Sequence, residues 1–238
     1  MFMEQFKNKV LFFADLDDSI FQTKRKDETG KYKATFPKNI LKTSYYTRTQ
    51  YNLLNFILKN QDIVFIPLTA RTEEQFQRTK IYKEQQAPIY SFYYGSSLFI
   101  NGKEHLKYKK YISDQSSLVY DSLSKIILLF NKKYPEVNFN NINGKYYTTD
   151  SKNKIHLDYL LELLKQADAA VDIYSEGKYI TIIPKVCNKS TVVKFLQQQL
   201  KPIFTIGMGN SISDLDFLNL CNFKIISHIG ILHQKLNS

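Results

Sequence analysis

No apolar run in this sequence is long enough to cross a membrane. A spanning helix needs about 20 consecutive apolar residues, and stretches such as Ile126 to Phe130 are far shorter. Cysteine is nearly absent. Cys187 and Cys221 can build neither a disulfide framework nor a multi-cysteine metal site, which suits a reducing cytoplasm. The N-terminal stretch lacks a secretory plan, because the apolar run Val10 to Ala14 leads directly into acids, with no cleavage-type segment. His105, His156, His228 and His233 have no mutual spacing that marks a metal site or a catalytic dyad. Internal repeats and low-complexity linkers are missing too. A cytoplasmic globular protein with no membrane partner is the expectation.

What is present supports that class. The 238 residues are 43% hydrophobic and 23% charged, enough for one sizeable core or a core domain with a smaller accessory domain. The net charge is +11, yet the lysines are scattered, and Lys107-Tyr108-Lys109-Lys110-Tyr111 is the densest patch. A nucleic-acid surface would need its basic residues gathered on one face. Nucleic acid is therefore not the expected partner, and a small anionic substrate would use only a few of these charges.

Val10 to Ala14 is a continuous apolar run that suits a strand buried on both faces of a parallel sheet. Residues 22–36 are polar around Thr29-Gly30 and predict a hairpin or flap. The spacing of Tyr46, Leu53, Leu54, Ile57 and Leu58 predicts a helix over 44–59. Ile63 to Ile66 reads as a second buried strand ended by Pro67-Leu68-Thr69, after which Thr72 can cap a helix. Ile89 to Tyr94 reads as a third strand, and Asn101-Gly102 as a hairpin turn.

The pattern changes from about 104. A helix at about 115–133, strands near 136–149 turning at Asn143-Gly144, a helix at about 156–167, and strands at 170–174 and 179–183 joined by Glu176-Gly177 follow in turn. This predicts a small antiparallel sheet covered by two helices. After Pro184 the strand–helix alternation returns: a helix capped by Asn188 or Ser190, a strand over 203–206, a loop at Gly207 to Asn210, a helix over 214–220 and a last strand at 224–226. The fold class expected is α/β, a Rossmann-like parallel core over 1–103 and 185–238 with an inserted α+β domain at 104–184. In such sheets function gathers at the carboxyl ends of the strands.

Four polar constellations fall at those ends. Asp15 and Asp17, two apart across a strand end, can face one cleft. One carboxylate can attack phosphorus and the other can protonate the leaving oxygen, then deprotonate water. Two anions need a hard cation beside a phosphate dianion, and oxygen ligands suit Mg2+. Thr69 offers a hydroxyl at the end of the second buried strand, and Arg71 follows closely enough to touch substrate, although an exposed helix-start arginine is an equal reading. Lys189 could offset the nucleophile and the phosphoryl oxygens, with Lys185 on the domain hinge and Lys194 inside a helix as rivals. Asn210 and Asp214 offer oxygen ligands in the segment Gly209 to Asp214, where Asp216 reads as a solvated helix residue.

These segments resemble the haloacid dehalogenase superfamily of phosphohydrolases. LFFADLDDSI is similar to its first motif, with Ser19 where threonine is usual; IPLTART, NKSTVVKFL and TIGMGNSISDLDFL are similar to the second, third and fourth. An insert between the second and third motifs resembles members with a large α/β cap, including sucrose-phosphate phosphatases and Cof-type sugar phosphatases. The resemblance implies Asp15 as nucleophile, Asp17 as acid/base, and Thr69 and Lys189 on the phosphate. It also implies Mg2+ held by Asp15, the Asp17 carbonyl, Asn210 and Asp214, with Asp18 or Asp216 as auxiliaries. The chain departs from the family pattern at Asn210, where an aspartate is usual. An amide oxygen can ligate Mg2+ but brings no negative charge. The expected activity is phosphomonoester hydrolysis of a small metabolite, a sugar phosphate by resemblance, beneath a cap that excludes water. The alternatives are a binding or regulatory module that has lost turnover through Asn210, and a nucleotide or nucleic-acid end phosphatase. Lys145, Tyr146, Tyr147 and Lys178 are candidate selectors of the leaving group. No motif specifies the oligomeric state.

Overall fold

The computed structural model describes residues 3–23, 32–37, 43–150, 155–176, 179–227 and 232–233. Thr29-Gly30, Gly177, Lys178, His228 and the side chains of His156, Leu157 and Glu176 lie outside that description. The chain forms two compact units, Met1–His105 with Lys189–Ser238, and Leu106–Asn188.

The first unit is built on a four-stranded parallel sheet in the order Phe223–Ile226, Phe204–Gly209, Val10–Ala14, Ile63–Pro67. The central strand Val10–Ala14 is apolar without alternation because both of its faces are covered. Leu11, Phe12, Phe13 and Ala14 are all at most 2% exposed. Ala14 lies opposite both Met208 and Pro67, so three strands end level with one another.

Several expected elements differ. The helix expected over 44–59 begins at Arg48, capped by Thr47, whose Oγ1 accepts from the Gln50 N–H at 3.1 Å. Ser44–Tyr46 is instead a strand, flanked antiparallel by Gln22–Thr23 and Tyr32–Lys33, so the two arms of the expected hairpin pair with it rather than with each other. The strand expected over 89–94 covers only Ile89–Tyr90, since Tyr93 and Tyr94 turn to φ 53° and 58° and break the extended run. The strand expected to end at 206 runs on to Gly209. The helix expected over 214–220 is a 3-10 turn at Ile212–Asp214 followed by a short helix at Leu215–Leu218. Asn101-Gly102 has φ 48° and 76°, the doubly left-handed turn that closes a tight hairpin.

The second unit is a four-stranded antiparallel sheet in the order Val171–Glu176, Tyr179–Pro184, Tyr146–Thr149, Asn140–Ile142, with helices Leu106–Lys133 and Ile155–Gln166. Leu123, Ile127, Phe130, Leu160, Leu164 and Ile182 form its core with Tyr147 and Phe139. The first helix starts nine residues before the expected 115, because Tyr108, Ile112 and Ser116 extend the buried face at four-residue steps. Lys107, Lys109 and Lys110 around Tyr108 are exposed, so the densest basic patch is a solvated helix face. Among the described residues no helix is long and apolar enough to cross a membrane.

Candidate active site

The level strand ends deliver Asp15, Thr69 and Asn210 to one edge of the core sheet. The Asp15 N–H extends the ladder by donating to the Met208 carbonyl at 2.8 Å. The chain then folds tightly: the Leu16 carbonyl accepts from the N–H groups of Ser19, Ile20 and Phe21 at 3.3, 3.0 and 3.1 Å, while Asp18 takes φ 60°, a conformation aspartate tolerates. Gln50 pins this loop. Its Nε2 donates to the Ser19 carbonyl at 3.0 Å while its Oε1 accepts from the Thr47 N–H at 3.0 Å.

At the centre stands Lys189, first residue of the helix Lys189–Leu200. Its Nζ donates to Asp15 Oδ1 and to Asp214 Oδ1, each at 2.6 Å, with side chains 2%, 9% and 0% exposed respectively. Lys185 and Lys194 are exposed, so of the three lysines weighed Lys189 is the buried one. The second oxygen of Asp214 accepts from the N–H groups of Asn210 and Ser211 at 3.0 and 2.9 Å and from Ser211 Oγ at 3.1 Å. Asp214 thus spends both oxygens on protein donors. Gly209 makes room for it: a Cβ there would stand 2.7 Å from Asp214 Cβ.

Burial pushes the Asp15 carboxyl up to about 8. Lys189 opposes that rise, and the nearby Asp214 and Asp17 anions add to it. Burial pulls the Lys189 ammonium down, but its two carboxylate partners outweigh burial and leave it above its ordinary value. Burial and the neighbouring anions outweigh the Lys189 ammonium, so the proton affinity of Asp15 is raised.

Asp17, 40% exposed, faces Arg71, whose Nε and Nη2 donate to its two oxygens at 2.8 and 2.7 Å. This fork-to-carboxylate arrangement fixes the Asp17 side chain in orientation as well as in charge. The guanidinium lies 5.0 Å over the Phe21 ring. The wholly buried Thr69 accepts from the Arg71 N–H through Oγ1 at 3.2 Å, and its own N–H donates to the Ser91 carbonyl at 3.0 Å.

Asn210 is 8% exposed. With its amide nitrogen inward it donates to Ser19 Oγ at 3.1 Å, Asp15 Oδ2 at 3.2 Å and the Asp17 carbonyl at 3.0 Å, which satisfies both ends of the amide. With its oxygen inward it accepts from the Ser19 hydroxyl at 3.1 Å. In that second orientation Asn210 Oδ1 lies 3.2 Å from Asp15 Oδ2 and 3.0 Å from the Asp17 carbonyl, and this set of hard oxygens fits Mg2+. Among the described residues no three acidic, histidine or cysteine side chains gather as a metal cluster.

The structure therefore brings Asp15, Lys189, Asp214 and Asn210 into one bonded group, and Asp17, Arg71 and Thr69 into another beside it. Asp216 is exposed on its short helix. Sequence reasoning missed Gln50, Ser211 and Phe21. Thr47-x-x-Gln50 is a legible capping box, but its second bond to the loop is a tertiary fact.

Solved structures share this architecture. The sucrose-phosphatase of Synechocystis sp. PCC6803, in complex with sucrose and phosphate, superposes with a TM-score of 0.62 at 14% identity, covering 97% of this chain and 87% of that one. The trehalose-6-phosphate phosphatase of Aspergillus fumigatus gives 0.58 at 11% identity over 94% and 85%. A haloacid dehalogenase-like hydrolase of Bacillus subtilis gives 0.54 at 13% identity over 93% and 79%. No curated protein sequence matches the chain significantly. The fold is that of the haloacid dehalogenase superfamily of phosphatases. Within it the chain belongs to the sucrose-6F-phosphate phosphohydrolase family, which matches residues 47–224, and it is a phosphatase.

Proposed function

We propose that the chain hydrolyses a phosphomonoester, a sugar phosphate, with Asp15 as covalent nucleophile. The observation that carries this reading is the buried Lys189 ammonium shared by Asp15 and Asp214 at the strand edge. The ammonium steadies Asp15 through Oδ1, and the Asp15 carboxylate attacks phosphorus. As the bond from the carboxylate to phosphorus forms, the bond from phosphorus to the sugar oxygen breaks, and Asp17 gives that oxygen a proton. Asp17 then takes a proton from water, whose oxygen attacks phosphorus and frees Asp15 and inorganic phosphate. Thr69 Oγ1 and Lys189 donate to phosphoryl oxygens. Arg71 is a positioning residue that sets the direction of the Asp17 carboxyl. Mg2+, held by Asp15 Oδ2, the Asp17 carbonyl and Asn210 Oδ1, would screen phosphate charge and favour the ionised form of Asp15. Asp214, with both oxygens occupied, would support that site by orienting Lys189 and the Asn210 backbone.

The family and the sucrose-bound and trehalose-related neighbours support a sugar phosphate as substrate class. The Leu106–Asn188 unit is assigned the cap's role, selection of the organic group, with Tyr146, Thr148 and Thr181 as polar positions on the sheet face opposite Tyr147 and Ile182. Cys187 and Cys221, both buried and not joined in a disulfide, suit a reducing compartment such as the cytoplasm. A second reading, a phosphate-binding module without turnover, draws on Asn210. The test is phosphate release from sugar phosphates, nucleotides and phospho-oligonucleotides, with and without Mg2+, beside Asp15→Asn. Metal-dependent release from a sugar phosphate that vanishes in the variant supports the proposal. Binding without release from any member supports the second reading.

A further inference from the structure

The Asn210 carboxamide can itself serve the oxygens assigned to the cation. Its inward nitrogen sits within 3.0–3.2 Å of Asp15 Oδ2, the Asp17 carbonyl and Ser19 Oγ, so these oxygens already have a donor when no metal is bound. Two of those three are the oxygens assigned above to the cation, and the inference rests on that assignment. We propose that Asn210 is a built-in stand-in for the cation, and that metal entry requires the amide to turn and exchange its nitrogen for its oxygen.

The physical reason lies in charge. An aspartate in place of Asn210 would set a second carboxylate within hydrogen-bond distance of Asp15 Oδ2 and of the Asp17 carbonyl. Such like-charged neighbours repel unless a cation joins them. The neutral amide removes that repulsion and supplies two N–H donors. Asn210 is held for this role from both sides. Its backbone N–H donates to Asp214 Oδ2 at 3.0 Å, and Ser19 Oγ, a group that can donate or accept, meets either end of the amide at 3.1 Å. The backbone is thereby fixed, and without a cation the amide is satisfied at both ends with its nitrogen inward. The metal-free site is stable on its own, and a cation binds only by displacing an internal hydrogen-bonded group, which weakens its affinity.

The test compares the full-length protein with Asn210→Asp by thermal unfolding in EDTA and in about 10 mM Mg2+, and by Mn2+ titration. The expected result is a lower Tm for Asn210→Asp in EDTA, a larger rise with Mg2+ than the wild type shows, and Mn2+ binding tighter by about tenfold or more. Equal Tm values in EDTA, or wild-type Mn2+ affinity equal to that of the variant, overturn the proposal. If Asn210→Asp fails to fold in both buffers, nitrogen-15 spectra of the wild type decide. One asparagine side-chain amide, absent from Asn210→Ser, should resist solvent exchange in EDTA and shift when Mg2+ is added. Rapid exchange of that amide without metal overturns the proposal. Phosphate release is followed in parallel. Turnover with identical metal behaviour in the two proteins removes this inference and leaves the proposed function standing, whereas altered metal behaviour without turnover does the reverse.

Discussion

Replacing Lys189 by methionine keeps the length of the side chain and removes the one charge shared by two buried acids. Asp15 and Asp214 each lose a 2.6 Å bond at positions 9% and 0% exposed. Breaking a buried ion pair from one side costs about 3–5 kcal/mol, because the remaining charge keeps its desolvation penalty. In a protein of this size about 1 kcal/mol moves Tm by roughly 2–4 °C, so the expected fall is about 6–20 °C. Asp214 keeps its bonds from Asn210 and Ser211, so the loss centres on Asp15, whose proton affinity burial has already raised. Protonation of Asp15 offsets the loss, and the deficit should therefore be smaller at about pH 5 than at about pH 8. Adding Asp15→Asn to Lys189→Met should recover about 0.5–3 kcal/mol, the coupling expected between groups in direct contact. The assay is thermal unfolding of wild type, both single variants and the double variant across that pH range. A pH-independent deficit with purely additive variants would show that Lys189 acts by packing alone, and the charge argument would fall.

Three further outcomes follow from the same geometry. Asp15 has a folded-state value raised from 3.8 to about 8, so its stabilising contribution is complete below about 4 and is lost as pH rises through about 8. Asp15→Asn cannot ionise, so its Tm should gain on the wild type between about pH 5 and pH 8 and then level off; a constant difference from about pH 5 to pH 8 contradicts this. Arg71→Ala frees Asp17 from its two-pronged partner and should lower kcat by about 100-fold with a smaller effect on KM. Arg71→Lys should not restore the rate, since an ammonium cannot make the planar fork; full rescue by lysine would refute the positioning role. Gly209→Ala drives a methyl to within 2.7 Å of Asp214 Cβ and 2.9 Å of its Oδ2. It should cost about 1–3 kcal/mol by overpacking, and a variant as stable as wild type with unchanged turnover would show that the loop relaxes freely.

Much of the fold is written in local patterns. Unbroken apolar runs at Val10 to Ala14 and Ile63 to Ile66 announce strands covered on both faces, and each is followed by the polar residues that a strand end presents. Thr72 caps its helix through the Gln75 N–H at 3.3 Å, as its residue type and position require. Such features depend on neighbours a few residues away, so hydrophobic spacing and capping chemistry carry them. Where the reading erred, a distant partner overrode local pattern. Ser44–Tyr46 fits a helical spacing yet is a strand because Gln22–Thr23 and Tyr32–Lys33 pair with it.

The sequence by itself determined which residues would meet at the strand ends, because an apolar strand followed by a polar residue repeats with the right types and order. Asp15, Thr69 and Asn210 were legible as candidates on that ground, and Lys189 as a cation at a helix start. Only the tertiary structure decided whom each would face. The Lys189 ammonium finds Asp15 across 174 residues of chain, and Asn210 finds Ser19 across 191. Arg71 could equally have pointed into solvent; it folds back on Asp17 from 54 residues away because Phe21 and Thr69 shape its bed. Asp214 reads in sequence as a cation ligand. In the folded chain its oxygens are consumed by Lys189 and by the backbone of its own loop, since a wholly buried carboxylate takes every donor within reach. Residue type sets what a group can do, and the packed neighbours, which alone fix distance and dielectric, set what it does.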